Sequence, residues 1–371
     1  MRIALVIHSM HAGGAERITS HLANAWAERG WTVTLITIAS ESLDFYALHP
    51  SVTRRALELA GESNGVLAAL VANVRRVLAL RRAIRECKPD VVIGMMATAA
   101  VLSILAAQGL GCRVIASERT HPPMLPIGRL WHALRRYTYP RAYRVTMLTQ
   151  DGLRWLQTTI PNANGVVIPN PVPYPLPVNA PLLQPESYIE QHRKLLLAVG
   201  RMDEGKQFDR LISAFSAIAA KYADWNLAIL GSGSVHPRLV QQITNLGLEA
   251  RVTLPGRVGN IGDWYARADL YAMSSRFEGF PNTLAEAMAH GCAAVSFDCD
   301  TGPRDIILDG ENGLLVRPVG DIHAFTCALE KLMGDELLRD ELSEQAVNVR
   351  VRFSLPNILQ LWDAILVANT H

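Results

Sequence analysis

Short apolar runs without an internal polar break recur along this chain, and the stretches between them carry helical periodicity. In the first half the runs are Ile3–Ile7, Thr32–Ile38, Val91–Met95, Val114–Ser117 and Val145–Leu148. Strands of this composition are buried on both faces, so with crossover helices between them they dictate a parallel sheet covered on each side. Helices are predicted over about 15–29 and over Val66–Cys87, the second stopping at Lys88-Pro89-Asp90. A second series begins at Leu195–Val199 and continues with runs at Leu227–Leu230, Val252–Leu254, Leu270–Met273 and Ala293–Phe297. Its helices are predicted over about 207–221, 236–246 and 262–267, with closing helices from about 321. Between the two series, seven prolines in Pro169–Pro185 break all periodicity and mark an extended connector. The 371 residues exceed one ordinary core. The expectation is two α/β domains of similar size facing each other across a cleft, with a linker over 171–190.

Composition narrows the class. Hydrophobic content of 49% with 19% charged residues describes a globular protein rather than a disordered one. The five cysteines (Cys87, Cys112, Cys292, Cys299, Cys327) are odd in number and lack CxxC spacing, which suits reduced thiols in a cytoplasm. Ile3–Ile7 is too short for a signal h-region, and no apolar run reaches 18 residues, so no membrane span is expected. Residues 1–168 hold 19 Lys+Arg against 10 Asp+Glu (+9), and the remainder 17 against 24 (−7), which sum to the overall +2. The basic half suits an anionic lipid surface or an anionic substrate. Nucleic acid ranks last, because no zinc-finger spacing or RNP-like aromatic motif accompanies the charge.

The segment Arg276-Phe277-Glu278-Gly279-Phe280-Pro281-Asn282-Thr283-Leu284-Ala285-Glu286 sets two carboxylates eight residues apart around a Gly-Phe-Pro bend. Proline suits the first helical position and Gly291 the residue beyond the last turn, so a helix is predicted from near Pro281 to His290. Its first N–H groups, on Asn282, Thr283 and Leu284, then form an anion site. A phosphate there has Glu278 and Glu286 on either side, an arrangement that fits a nucleotide-sugar. Other strand ends add Gly200, Arg201 and Lys206, then Gly231 and Gly233, then Arg257 and Val258. Ligands of open α/β sheets sit beyond such ends. Arginine offers a fork for phosphate oxygens and lysine a point charge, while the glycines are expected to let a ligand approach the backbone.

Gly200-Arg201 with Lys206, followed by Glu278-x7-Glu286 in the form E-G-F-P-N-T-L-A-E, resembles the retaining GT-B glycosyltransferases of family 4. Gly13-Gly14-Ala15-Glu16-Arg17, Ile168-Pro169-Asn170-Pro171-Val172, Gly302-Pro303-Arg304-Asp305-Ile306 and Asp309-Gly310-Glu311-Asn312-Gly313 fit the same family, so the resemblance covers nearly the whole chain. It implies two Rossmann-like domains, an acceptor-binding one over 1–170 and a nucleotide-sugar-binding one over 191–352, with residues 353–371 forming a helix that returns to the first. It further implies that Arg201 and Lys206 hold the donor diphosphate and that Glu278 meets hydroxyls of the transferred sugar. Gly279, Phe280, Pro281, Asn282, Thr283 and Leu284 line the diphosphate and sugar, Glu286 takes the ribose, and Arg257 and Val258 lie by the base. Gly14 approaches the diphosphate from the other domain. Glu16, Arg119 and His121 fall on the acceptor or sugar side, with either Arg119 or His121 nearest the sugar. The implied reaction retains configuration and needs no metal or other cofactor. Closer relatives imply a UDP-sugar donor and a lipid-linked or polysaccharide acceptor; a GDP-sugar donor and a nucleotide-sugar epimerase are the alternatives.

Several features have blander readings. Asp298-Cys299-Asp300 matches a metal-binding D-x-D, but in a loop of the wrong architecture. A dinucleotide oxidoreductase wants G-x-G-x-x-G after the first strand, where the chain has His8-Ser9-Met10-His11-Ala12-Gly13-Gly14. The basic, aromatic stretch Ile127–Arg144 is expected to turn Leu130, Leu134 and Thr138 inward and to offer its arginines to a membrane face, with Arg75, Arg76, Arg81, Arg82 and Arg85 as a second basic helix.

Overall fold

The computed structural model describes residues 1–61, 65–125 and 127–367. The chain divides into two compact units, Met1–Pro169 together with the residues from Leu359 onward, and Asn170–Ile358. Each is built on a wholly parallel sheet.

The first sheet contains β1 (Arg2–Ile7), β2 (Thr32–Thr37), β3 (Thr53–Ala56), β4 (Val91–Met95), β5 (Arg113–Ser117), β6 (Arg144–Met147) and β7 (Gly165–Val167), in the order β3-β2-β1-β4-β5-β6-β7. β1 and β4 are central and buried almost throughout, which is why both read as unbroken apolar runs. The edge strands β3 (Thr-Arg-Arg-Ala) and β7 (Gly-Val-Val) carry no comparable signal, and neither was predicted. Helix Ala97–Ala107 was also missed: Val101, Leu102, Ile104 and Ala106 are all buried, so it has no polar face to give a period.

In the basic stretch, helix Arg129–Thr138 turns Leu134 and Thr138 inward as expected, but not Leu130. Trp131 and Leu134 pack against the core while Leu130 is 58% exposed, and Arg135 is buried with Thr138. Arg135 can face inward because Nη1 meets the buried Glu118 at 3.3 Å and its guanidinium lies 4.8 Å from the Trp155 ring centroid.

The last helix, Leu355–Leu366, contributes its end to the first unit. Trp362 is fully buried, edge-on to Trp26 at 5.8 Å, and Asp363 pairs with Arg29 at 2.9 Å.

The second sheet holds β8 (Lys194–Val199), β9 (Trp225–Leu230), β10 (Val252–Gly256), β11 (Leu270–Met273), β12 (Ala294–Phe297) and β13 (Leu314–Val316), ordered β10-β9-β8-β11-β12-β13. The order reverses at β8, so the loops after β8 and β11 flank the switch point where such sheets bind ligands.

The backbone after β9 presses directly on the backbone after β8. A Cβ on Gly231, whose φ is +132°, would lie 1.9 Å from the Gly200 carbonyl oxygen, and one on Gly233 would lie 2.2 Å from that of Met202. The Met202 N–H donates to the Ser232 carbonyl at 2.9 Å and the Gly231 N–H to that of Gly256 at 2.8 Å. These two glycines therefore serve loop-on-loop packing, a role that the strand-end pattern did not show.

Two outcomes follow. Gly231→Ala should destabilise the protein by more than about 3 kcal/mol. Gly310→Ala, at φ +79° in open space, should cost only about 1–2 kcal/mol. Denaturant unfolding checks this, and equal costs would show that the contact is not tight. Trp362→Ala should cost the first unit's transition about 3–5 kcal/mol, and a loss below about 1 kcal/mol would contradict the packing described.

Candidate functional site

The loop after β8 and the segment after β11 converge on one ion pair. Lys206 Nζ donates to Glu278 Oε1 at 2.5 Å, with side-chain exposures of 22% and 11%. Ser275 Oγ donates to the same oxygen at 2.6 Å. The backbones are sewn together as well: Arg276 N–H donates to the Gly205 carbonyl at 2.8 Å, and Ser274 Oγ to that of Lys206 at 2.8 Å. Thr301 Oγ1 donates to the Glu278 carbonyl from the far side. A charge-assisted hydrogen bond at this depth contributes about 1.5–3 kcal/mol. Its larger effect is to fix an ammonium and a carboxylate side by side.

Arg201 is not brought to this pair. Its guanidinium is 80% exposed and held at 2.7 Å by Asp203. The other oxygen of Asp203 accepts from the N–H groups of Gly205 at 3.0 Å and Lys206 at 3.3 Å. Asp203 thus shapes the loop that presents both cations, a role that nothing in the sequence pattern assigned to it.

Helix Asn282–Ala289 starts one residue later than predicted, with Pro281 as its cap. Of the three N–H groups expected to be free, that of Asn282 donates to the Phe280 carbonyl at 2.9 Å and that of Leu284 to the Pro281 carbonyl at 3.1 Å. The Thr283 N–H alone of the three has no partner among the described residues. Phe280 and Pro281 are buried, and Tyr271 Oη donates to Thr283 Oγ1 at 2.9 Å, tying the helix start to β11. Asn282 Oδ1 accepts from the buried Asn170 at 3.0 Å.

Glu286 is buried, at 2% exposure, and accepts from Tyr265 Oη at 3.3 Å. Arg257, after β10, donates from Nε to Ser232 Oγ at 2.8 Å, and Val258 is half-buried beside it. The Asp298 carboxylate of the D-x-D is fully buried and pairs with Arg304 at 2.8 Å and with Arg317, which accounts for it as a structural ion pair, whereas Asp300 is exposed.

The remaining candidates lie in the first unit. Gly14 begins helix Gly14–Glu28, and Glu16 folds back over Gly13, where a Cβ would lie 2.2 Å from Oε2. This is the third helical position, where a carboxylate suits the helix dipole. After β5, Glu118 is buried and accepts from Tyr139 Oη at 2.5 Å, and burial pushes its carboxyl above the usual range despite Arg135. Arg119 is buried 5.6 Å from the Trp362 ring centroid, and burial lowers its pKa to about 9. His121 is buried nearby in the chain. His8, Ile38, Asn73, Arg76, Thr98 and Trp131 border a cavity of about 250 Å³ beyond the ends of β1, β2 and β4. Burial, and then the charge of Arg76, hold the His8 imidazole below its usual pKa.

Residues 181–349 match the family described as glycosyl transferases group 1, and residues 13–171 match a glycosyl transferase 4-like domain. A lipopolysaccharide core biosynthesis glycosyltransferase of Rhizobium meliloti is 30% identical over 338 residues, covering 90% of this chain and 89% of its own. A Campylobacter jejuni alpha-1,4-N-acetyl-D-galactosaminyltransferase, named for a diNAcBac-PP-undecaprenol-linked glycan, is 27% identical over 98% of this chain and 97% of its own. The solved sucrose-phosphate synthase of Thermosynechococcus elongatus shares the fold, with a TM-score of 0.84 at 18% identity over the full length of both chains. The Anabaena HepE structure in complex with UDP does so with a TM-score of 0.78 at 20% identity, again over both full chains. The chain therefore belongs to the group 1 glycosyltransferases and is an enzyme of the GT-B fold.

Proposed function

We propose that the protein transfers a sugar from a UDP-sugar, with retention of configuration, onto a lipid-linked or polysaccharide acceptor in bacterial surface-glycan biosynthesis. The observation that carries this reading is the Lys206–Glu278 pair at 2.5 Å, formed by the loops that flank the sheet's switch point and followed five residues on by the Thr283 N–H at a helix start. Relatives support the acceptor class by their names: lipopolysaccharide core, undecaprenol-linked glycan and, at 26% identity over 96% of each chain, amylovoran of Erwinia amylovora. The Anabaena structure that holds UDP supports the donor.

In this mechanism the diphosphate lies across Lys206 and the Thr283 N–H, with Arg201 swinging from Asp203 to a phosphate oxygen. Glu278 accepts hydroxyls of the transferred sugar, and Glu286 faces the ribose. As the glycosidic bond breaks, negative charge gathers on the departing diphosphate, and the cations and the helix N–H stabilise it without solvent reorganisation. The acceptor hydroxyl attacks from the face that the nucleotide leaves and gives its proton to the departing phosphate. Charge neutralisation falls to Lys206 and Arg201, so no resident metal or other cofactor is invoked. Catalysis takes place on the cytoplasmic face of a membrane, to whose anionic surface the +9 first half is attracted.

Lys206→Ala and Glu278→Ala should each lower kcat by about a hundredfold or more while circular dichroism and melting remain those of a folded protein. Turnover of a panel of UDP- and GDP-sugars checks both the residues and the donor. Wild-type rates in either variant would overturn the site, and a GDP-sugar preference would overturn the donor. Release of an isomerised sugar without an acceptor would instead indicate an epimerase.

A further inference from the structure

Helix Val66–Cys87, in the first unit, has two apolar sides where a surface helix ordinarily has one. Leu80, Ala83 and Ile84 are buried in the core, and Val77 packs against it. On the opposite side Leu67, Leu70, Val71, Val74 and Leu78 are exposed by 80%, 55%, 51%, 50% and 60%. Their spacing keeps all five on one face, and Arg82 and Arg85 continue that face through the last turn, with Arg75 at its flank. Arg82, at 84% side-chain exposure, pairs with Glu86, the helix's single acid, which Arg55 also engages. Leu59 joins Leu67, Ala68, Val71, Ala72 and Arg75 around an open, mainly apolar groove of about 400 Å³.

We infer that this face is where the enzyme docks on an anionic lipid bilayer, the five aliphatic side chains entering the acyl boundary and the arginines meeting headgroup phosphates. The inference rests on the proposal that the acceptor is membrane-borne, and it names the surface that proposal leaves open. Five arginines in 22 residues keep the helix in the interface plane rather than across it, and no described helix is long and apolar enough to span a membrane. Charge complementarity selects the occupant. The helix offers arginines and one engaged carboxylate, so a second copy would meet cations with cations, whereas anionic headgroups attract each exposed arginine. Asn73 and Arg76, on the helix's inner side, border the strand-end cavity that also holds His8 and Trp131. One helix thus connects the lipid surface with the place where the ligand-binding ends of the first sheet open.

The full-length protein is sedimented with vesicles of phosphatidylglycerol and phosphatidylethanolamine, and with phosphatidylcholine alone, at physiological salt. Wild type should partition onto the anionic vesicles. Leu70→Ser combined with Val74→Ser should weaken partitioning roughly tenfold or more, and Arg75→Gln with Arg85→Gln several-fold, with melting temperature and donor hydrolysis unchanged. Equal binding by the Leu70/Val74 variant, or no binding by wild type, overturns the docking face. So does a dimer, measured by light scattering, that dissociates with the same substitutions. Vesicle binding without turnover of any nucleotide-sugar upholds the face and overturns the proposed reaction instead.

Discussion

The second unit's site depends on two loops packed backbone against backbone. Gly231 and Gly233 let the chain after β9 rest on the carbonyls of Gly200 and Met202, where no side-chain carbon fits. That contact fixes the loop Gly200–Lys206, which Asp203 then folds so that Lys206 turns towards β11. Because all six strands run parallel, the loops that must meet a ligand gather at one edge. The glycines thus hold the loop that carries Lys206.

Around Lys206 the design is electrostatic. An ammonium and a carboxylate neutralise each other at 2.5 Å and are braced by Ser275 and by hydrogen bonds to backbone carbonyls from the Ser274 and Thr301 hydroxyls and the Arg276 N–H. A side chain held this way loses little further freedom when a ligand arrives, which is the source of catalytic preorganisation. Arg201, exposed and paired only within its own loop, is the adaptable member. Glu286, nearly closed off and held by Tyr265, is the rigid one.

Much of this was legible in the sequence because central parallel strands must be apolar throughout and because the E-x7-E segment spells out a helix start. What escaped were the edge strands β3, β7 and β13, only three or four residues long, and helix Ala97–Ala107, buried on every side. In the site, sequence spacing named Lys206 and Glu278 but not their contact, and it gave three free N–H groups where the Phe280–Pro281 bend leaves Thr283's alone. Ser275, Thr301 and Asp203 carry no pattern that distinguishes them from ordinary loop residues. In the basic stretch 127–144 the pattern placed Leu134 and Thr138 but not Leu130 or Arg135, because a buried Glu118 can draw Arg135 inward. The exposed apolar face lies instead on Val66–Cys87, whose composition alone does not separate an inner stripe from an outer one.

The central claim is that Lys206 and the Thr283 N–H together hold a diphosphate. Calorimetric titration of wild type and Lys206→Ala with uridine, UMP and UDP tests it directly. The account predicts that UDP binds wild type at least about tenfold more tightly than UMP, and that Lys206→Ala erases most of that difference while leaving uridine unaffected. Equal affinities for UMP and UDP, or an undiminished preference for UDP in the variant, would contradict it.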